Sequence, residues 1–294
     1  MKQSSIGARV LRWFGIGIGI IVVILYIGLP AGMGVAAVLP AKAAAGGAPE
    51  GFEAVTPSAS DGVQLKAWYR RPTNGAVIIL LHGAGGTRNA MRPYAELLVR
   101  HGYGVLSVDL RGHGESEGQT NRLGWEGTRD VGAAVSFLAE QPEVQRIGAL
   151  GSSMGGEVLL GAAAAYPAIR AIVADGATRR CIDEYLALET NRPLVRNFTA
   201  RVMYATVQIL TGDRPPSPLL DSMQAAQSTH FLLIAAGNNS LETAFNQTFA
   251  TTLGHRAILW VAPAVHHTGA FARYPQEYEQ RVIEFLQQEL ATTE

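Results

Sequence analysis

The pattern of hydrophobic and polar positions begins with a long apolar run near the N-terminus. Residues 13–39 contain no Asp, Glu, Lys or Arg, and about 20 apolar residues in a helix are enough to cross the hydrocarbon core of a bilayer. Three basic residues precede this run within residues 1–12, whereas only Lys42 follows it closely. The pattern predicts a single transmembrane segment over 13–39, with residues 1–12 in the cytoplasm and the remaining chain on the extracytoplasmic side.

The same run could instead be a cleaved signal peptide. Ala41 and Ala43 offer small residues for cleavage, and Pro30 could end the apolar helix early. The run is, however, longer than the roughly 7 to 15 residues usual for the apolar part of a signal peptide. We therefore favour a signal anchor, and both interpretations export the rest of the chain. Residues 40–51 are rich in alanine and glycine, which predicts a flexible linker.

From residue 52 to the C-terminus, short apolar runs alternate with segments of helical periodicity. The runs are typical of strands covered on both faces, and they fall at 77–81, 104–108, 147–150, 171–174, 231–235 and 258–261. The helical patterns fall at 94–101, 125–140, 154–166, 241–253 and 275–290. Two further strands, at 52–56 and 63–69, flank the turn dipeptide Asp61-Gly62 and predict an antiparallel hairpin.

This alternation predicts one α/β domain over 52–294, with a mostly parallel, eight-stranded sheet and helices on both faces. Functional residues of such sheets lie beyond the carboxyl ends of the strands. Residues 177–228 interrupt the alternation with helical periodicity and a proline-rich exit. We expect this insertion to form a helical lid over the pocket or a packed helix pair without a gating role.

Composition excludes several classes of function. Lys and Arg together number 24, as do Asp and Glu, so the chain has no basic excess with which to bind nucleic acid. Cys181 is the only cysteine, which rules out an internal disulfide and a cysteine-based zinc site. We expect Cys181 to be an ordinary apolar or partly buried side chain, and we expect no metal or cofactor.

The chemistry-bearing motif is Gly-Ser-Ser-Met-Gly at 151–155, which follows a predicted strand and opens a predicted helix. This context is the one that a G-x-S-x-G nucleophile turn requires, with Ser153 as the nucleophile. A second glycine-rich turn, His-Gly-Ala-Gly-Gly at 82–86, follows the strand at 77–81 and can present backbone N–H groups to an oxyanion. We predict the amides of Ala84 and Met154 as the two donors and a loop-ordering role for His82.

These motifs resemble the α/β-hydrolase superfamily, in its esterase and serine-peptidase-like branch. The resemblance rests on LLHGAGG at 80–86, DLRGHGES at 109–116 and GSSMGG at 151–156, which occur in the order and spacing of that family. It extends from about residue 52 to the C-terminus and implies the α/β-hydrolase fold. It also implies that Asp109, Arg111 and His113 fix the conformation of their turn.

The resemblance also implies a catalytic histidine in the loop after the last strand. Two adjacent histidines stand there, and we choose His267 over His266 because Thr268-Gly269 follows it, as a small pair often follows the family's base. The family's acid usually follows the penultimate strand, where this chain has Asn239. We expect Glu242, three residues later, to be the acid, with Asp175 as the alternative.

Together these features predict hydrolysis of an ester or thioester of a small acyl substrate, through an acyl-enzyme on Ser153. Cleavage of short peptides or amides is a second interpretation, because the nucleophile turn serves both chemistries. A third interpretation is a catalytically silent binding protein on the hydrolase scaffold, which the asparagine at 239 favours slightly.

Overall fold

The computed structural model describes residues 4–119, 122–188 and 194–291. These residues divide into two compact units. One unit comprises the described residues of Met1–Val38 and Glu189–Arg214, and the other those of Leu39–Leu188 and Pro215–Glu294. The larger unit is described first.

The larger unit has the α/β-hydrolase fold, built on a single mixed sheet. Its eight described strands are β1 Glu53–Val55, β2 Ala67–Arg70, β3 Ala76–Leu81, β4 Gly104–Val108, β5 Arg146–Ser152, β6 Ile169–Asp175, β7 His230–Ala236 and β8 Ala257–Ala262. Their order across the sheet is β1-β2-β4-β3-β5-β6-β7-β8. Strand β2 is antiparallel to both of its neighbours, and every other pairing is parallel. The predicted eight-stranded, mostly parallel sheet is therefore confirmed.

Helices follow the parallel strands, as the alternation predicted. In this unit they are α3 Arg92–Arg100, α4 Gly127–Ala139, α5 Met154–Ala162, α6 Ile182–Ala187, α8 Leu219–Ala225, α9 Ser240–Leu253, α10 Ala270–Arg273 and α11 Pro275–Glu289. The observed α5 ends four residues before the predicted end at residue 166. Pro167 follows the predicted end at residue 166. Helices usually end at or before the residue that precedes a proline, because that residue disfavours the helical conformation.

The core is formed on both faces of the sheet because successive side chains of a strand point to opposite sides. In β3, Val77, Ile79 and Leu81 belong to one buried cluster, whereas Ile78 and Leu80 belong to the other. All five side chains are fully buried. This double burial is the reason that the strand reads as a continuous apolar run and not as an alternating one.

The N-terminal hairpin differs in extent from its prediction. Strand β2 starts at Ala67, not at residue 63, while Ser58 and Gln64 pair only as an isolated bridge. The turn itself lies where Asp61-Gly62 predicted it: the Gly62 amide donates to the Ala59 carbonyl at 2.8 Å, and Gly62 has a φ of +86°. Glycine adopts that φ without strain.

The smaller unit contains the apolar N-terminal helix. Helix α1 (Ser4–Val23) continues through a π-helical turn (Ile24–Gly28) into α2 (Leu29–Val38). The stretch Gly7–Val38 is long and apolar enough to cross a membrane. It starts before the predicted 13–39 because the helix runs through the basic residues as well. The unit also contains α7 (Leu194–Thr211), which packs against α2.

The predicted insertion over 177–228 thus contains three described helices, α6, α7 and α8. Only α7 groups with the N-terminal helices, while α6 and α8 belong to the larger unit. A lid role for this insertion stays a prediction.

Candidate active site

Ser153 occupies a strained turn between β5 and α5. Its φ of +51° and ψ of −120° lie in a region that residues with a side chain rarely adopt. A Cβ at Gly151 would overlap the backbone of Gly155, and a Cβ at Gly155 would overlap the carbonyl of Leu81. Only glycine fits at both positions, which is the physical reason for the spacing of the motif. The Ser153 amide donates to the Asp175 carbonyl at 2.7 Å and holds the turn against β6.

His267 reaches Ser153 from the loop after β8. Its Nε2 lies 2.8 Å from Ser153 Oγ. The loop is shaped by positive φ angles at Ala264 (54°) and Thr268 (53°). A Cβ at Gly176 would lie 3.0 Å from His267 Cε1, and Gly176 itself has a φ of +77°. The glycine after β6 therefore leaves room for the imidazole beside the serine.

Glu242 completes a hydrogen-bonded line through the imidazole. Its Oε2 lies 2.7 Å from His267 Nδ1, and its side chain is fully buried. The Ala236 amide donates to Oε1 at 2.6 Å. Asn239 donates to Oε2 from its Nδ2 at 3.1 Å, and its Oδ1 accepts from the Glu242 amide at 3.2 Å. Asn239 thus caps α9 and orients the carboxylate.

The Glu242 carboxylate stabilises positive charge on the His267 imidazole. The hydrogen bond to Glu242 is the largest cause that raises the pKa of His267 above its usual 6.5, and burial opposes it. In the neutral ring, a carboxylate bonded to Nδ1 fixes the tautomer in which the unprotonated Nε2 faces Ser153 Oγ.

The glycine-rich turn after β3 lies beside Ser153. A Cβ at Gly83 would be 3.3 Å from Ser153 Cβ. Within the described part of the chain, the Ala84 amide, which lies outside any helix or strand, has no acceptor. Met154 is the first residue of α5, and the first amides of a helix have no intrahelical acceptor. Both amides that the sequence singled out are available to a ligand, so their role as oxyanion donors stays a prediction with supporting geometry.

His82 orders the loop, as its position predicted. Its Nε2 accepts from the Leu110 amide at 3.1 Å, and its Nδ1 lies 2.8 Å from the Gly83 carbonyl. Burial lowers the pKa of His82 to about 4, which keeps the ring neutral and able to accept. The ring is committed to these two backbone groups, and it links the glycine-rich turn to the segment after β4.

The segment after β4 is fixed by buried ion pairs, which bears out the turn-fixing role implied for its residues. The Asp109 carboxylate pairs with Arg88 and accepts from the Glu115 amide at 2.9 Å. Arg111 pairs with Asp130 at 2.7 Å. His113 lies 3.0 Å from the Arg111 carbonyl through Nδ1. Arg88 was not singled out by sequence reasoning, since nothing in its local pattern marks a residue that pairs with a carboxylate 21 positions later.

The two alternative assignments lie outside the hydrogen-bonded line. His266 is exposed, and among the described hydrogen bonds its ring makes none with Ser153 or with Glu242. Asp175 is buried at the end of β6, and its Oδ2 has no hydrogen-bond partner within the described residues. Burial raises the pKa of Asp175 to about 7.

The remaining features of interest are the reactivity of the Cys181 thiol and the capacity to bind a metal ion. Cys181 is buried, and burial raises the pKa of its thiol to about 11, which describes an unreactive side chain, as expected. In the described ranges, no group of three or more His, Cys, Asp or Glu side chains is arranged to hold a metal ion.

Comparison with known proteins places this chain in a family. The family model for serine aminopeptidases S33 (Hydrolase_4) matches residues 72–227. The Salmonella typhi protein YfhR is 32% identical over 125 residues, which cover 40% of this chain and 42% of that protein. The thiohydrolase aneE of Aspergillus aculeatus is 32% identical over 119 residues, which cover 38% and 37% of the two chains. The chain thus aligns with about two fifths of the length of these curated relatives.

Solved structures extend the similarity to most of the chain. The Pyrococcus furiosus esterase Pf2001 superimposes with a TM-score of 0.69 at 27% identity, covering 86% of this chain and 100% of that one.

Proposed function

The chain belongs to the serine aminopeptidase S33 family (Hydrolase_4), and from that membership and the geometry of its site we propose that it hydrolyses carboxylic esters or thioesters through an acyl-enzyme on Ser153. The observation that carries the proposal is the unbroken line from Ser153 Oγ through His267 to the buried Glu242, with distances of 2.8 and 2.7 Å. Nucleophile, base and acid in hydrogen-bond contact form the arrangement that activates a serine hydroxyl.

Acylation follows from this line of contacts. Ser153 Oγ forms a bond to the acyl carbon while its proton passes to His267 Nε2. Glu242 stabilises the resulting imidazolium. The negative charge on the former carbonyl oxygen is stabilised by the Ala84 and Met154 amides. The bond to the leaving oxygen or sulfur then breaks, and that atom takes the proton from His267.

Deacylation repeats the same steps with water. His267 Nε2 takes a proton from water while the water oxygen forms a bond to the acyl carbon. The bond between that carbon and Ser153 Oγ then breaks, and Oγ recovers the proton from His267. The products are a carboxylic acid and an alcohol or thiol. No step needs a metal or an organic cofactor. The thiohydrolase and esterase names of the two relatives support this substrate class for the present chain.

The family description favours peptide hydrolysis as a second candidate. The same acyl-enzyme would form on a peptide or amide substrate, with an amine as the leaving group. The silent binding protein is disfavoured, since Glu242 supplies the carboxylate that Asn239 lacks.

We also propose that the apolar N-terminal helix is retained as a membrane anchor, with the larger unit on the extracytoplasmic side. Cleavage after residue 41 or 43 would remove α2, which packs against α7 in the smaller unit. The face of α7 that α2 covers would then be left open. A helix that is part of the packed structure is better explained as an anchor than as a discarded signal.

A fluorophosphonate probe tests the proposed function on the full chain purified in detergent. We expect the parent to be labelled and to hydrolyse p-nitrophenyl acetate, p-nitrophenyl butyrate and an acyl thioester, and we expect Ser153→Ala to lose both properties. His101→Ala is the matched control, because this histidine pairs with a carboxylate, Glu279, away from the serine. A folded parent that neither labels nor turns over any ester would refute the catalytic proposal. Turnover of alanyl or prolyl p-nitroanilides without ester turnover would favour the peptidase.

A further inference from the structure

Helix α7 exposes large apolar side chains along its length. Leu194 is 86% exposed, Ile209 is 82% exposed and Phe198 is 47% exposed. These residues and Ala205 are spaced four, seven and four positions apart, so they share one helix face, on which Arg201 lies between Phe198 and Ala205. Helix α7 contains no Asp, Glu or Lys, and its charges are those of two arginines. Such a surface is unfavourable in water and suits an environment that offers both acyl chains and anions.

Helix α7 packs tightly against the end of the apolar N-terminal helix. A Cβ at Gly34 would lie 2.7 Å from the Met203 carbonyl and 2.8 Å from Thr206 Cβ. The buried residues of α2 are Pro30, Gly34 and Val38, which are four residues apart and share one face. Close backbone approach at a glycine is the mode of packing found between helices in membranes.

The length of the N-terminal helix indicates how deep in the bilayer the contact between α2 and α7 lies. The 32 residues of Gly7–Val38 span about 48 Å at 1.5 Å per residue, whereas the hydrocarbon core is about 30 Å thick. The helix is therefore long enough to cross the core and still extend into one interface. Because α2 forms its C-terminal end, α2 and the helix packed against it lie at that interface when the anchor is inserted.

We propose that α7 is a second membrane-contacting element, which lies in the bilayer interface beside α2. On this proposal Leu194, Phe198 and Ile209 contact acyl chains, while Arg196 and Arg201 meet anionic headgroups. Both arginines are exposed, and their long side chains can extend to the headgroup level from a helix that lies in the interface. The occupant of the exposed face is lipid and not a second copy of the chain, because its neighbour α2 already belongs to the membrane anchor. The inference rests on the anchor proposed above.

Nitroxide scanning of the full chain in vesicles of phosphatidylcholine and phosphatidylglycerol tests this placement. Single cysteines would replace Phe198 or Ile209 in a Cys181→Ala background. Ile20, in α1, reports whether the anchor itself is inserted, and the exposed Glu140, which follows α4, is the aqueous reference. The measurement is the collision rate of each label with oxygen, which concentrates in lipid, and with a nickel chelate, which stays in water.

We expect the labels at Phe198 and Ile209 to collide with the nickel chelate several-fold less than the label at Glu140 and to favour oxygen, as the label at Ile20 does. Aqueous behaviour at both α7 positions, with Ile20 in lipid, would overturn the proposal while leaving the anchor intact. Aqueous behaviour at Ile20 as well would overturn the anchor, and the inference with it. Dipolar broadening at Phe198 that unlabelled protein dilutes away would show a second copy on this face and would also overturn the inference. Ester turnover in the same vesicles reports separately on the proposed hydrolase activity.

Discussion

Replacing Glu242 by glutamine removes one charge from the candidate site and leaves its size almost unchanged. In the parent, the carboxylate accepts from the Ala236 amide at 2.6 Å and from Asn239 at 3.1 Å, and it lies 2.7 Å from His267 Nδ1. A glutamine can keep the first bond through its oxygen. Its NH₂ group would then face Nδ1, which favours the tautomer with the proton on Nε2. His267 in that tautomer cannot accept the proton of Ser153.

The expected loss of ester turnover is about 10⁴-fold, the loss that follows when the carboxylate of a catalytic triad is replaced by an amide. At 1.36 kcal/mol for each factor of ten, this loss raises the barrier by about 5.4 kcal/mol. Fluorophosphonate labelling should slow in parallel with ester turnover, because both reactions need the activated serine. Binding of substrate should change little, since the carboxylate is buried behind the imidazole.

The assay compares kcat/KM for p-nitrophenyl butyrate and the labelling rate in the parent and in Glu242→Gln. Glu277→Gln is the control, since it makes the same change in an ion pair with Arg281 on the surface of α11. A thermal unfolding curve checks that each variant is folded. Activity of folded Glu242→Gln within tenfold of the parent would refute the assignment of the acid. A larger loss in Asp175→Asn than in Glu242→Gln would move the role to Asp175.

Three further predictions follow from other features. The raised pKa of His267 means that the neutral base is lost on the acid side already above pH 6.5, so kcat/KM should fall with an inflection above that value, and Glu242→Gln should move the inflection downward. Burial raises the pKa of Asp175 from 3.8 to about 7, so its ionisation costs stability as pH rises between these values. Asp175→Asn should therefore raise the unfolding temperature at pH 8 and leave it unchanged at pH 4. Gly34→Ile should lengthen the spin-label distance between α2 and α7, whereas Gly32→Ile, with open space around its Cβ, should not.

Most of the sheet could be predicted from the sequence because a doubly covered parallel strand leaves a clear pattern. The predicted run at 104–108 matches β4 residue for residue, and the other parallel strands differ by one to three residues at their ends. Turns that require glycine could also be predicted, as at Gly151, Gly155 and Gly62. The hairpin strand β2 was overpredicted, because its first residues form only a bridge and backbone contacts to the preceding turn.

The residues that contact the site from distant positions in the chain could not be predicted from the sequence. Gly176 follows β6 without any motif, yet its missing side chain leaves room for the His267 imidazole. The Asp175 carbonyl accepts from the Ser153 amide at 2.7 Å, and a backbone carbonyl leaves no trace in residue type. The packing of α7 on α2 joins segments about 170 positions apart, so neither segment alone indicates the other.

The position of Glu242, the proposed acid, shows how a departure from a family pattern can be compensated locally. The expected aspartate position holds Asn239, which caps α9, and the carboxylate that contacts His267 belongs instead to Glu242 in the first turn of that helix. A carboxylate there is favoured by the helix dipole and by the capping side chain. The longer side chain of glutamate spans the added distance to His267. Asn239 therefore orients the Glu242 carboxylate, and an aspartate at that position would set a second negative charge beside Glu242 and weaken this orientation.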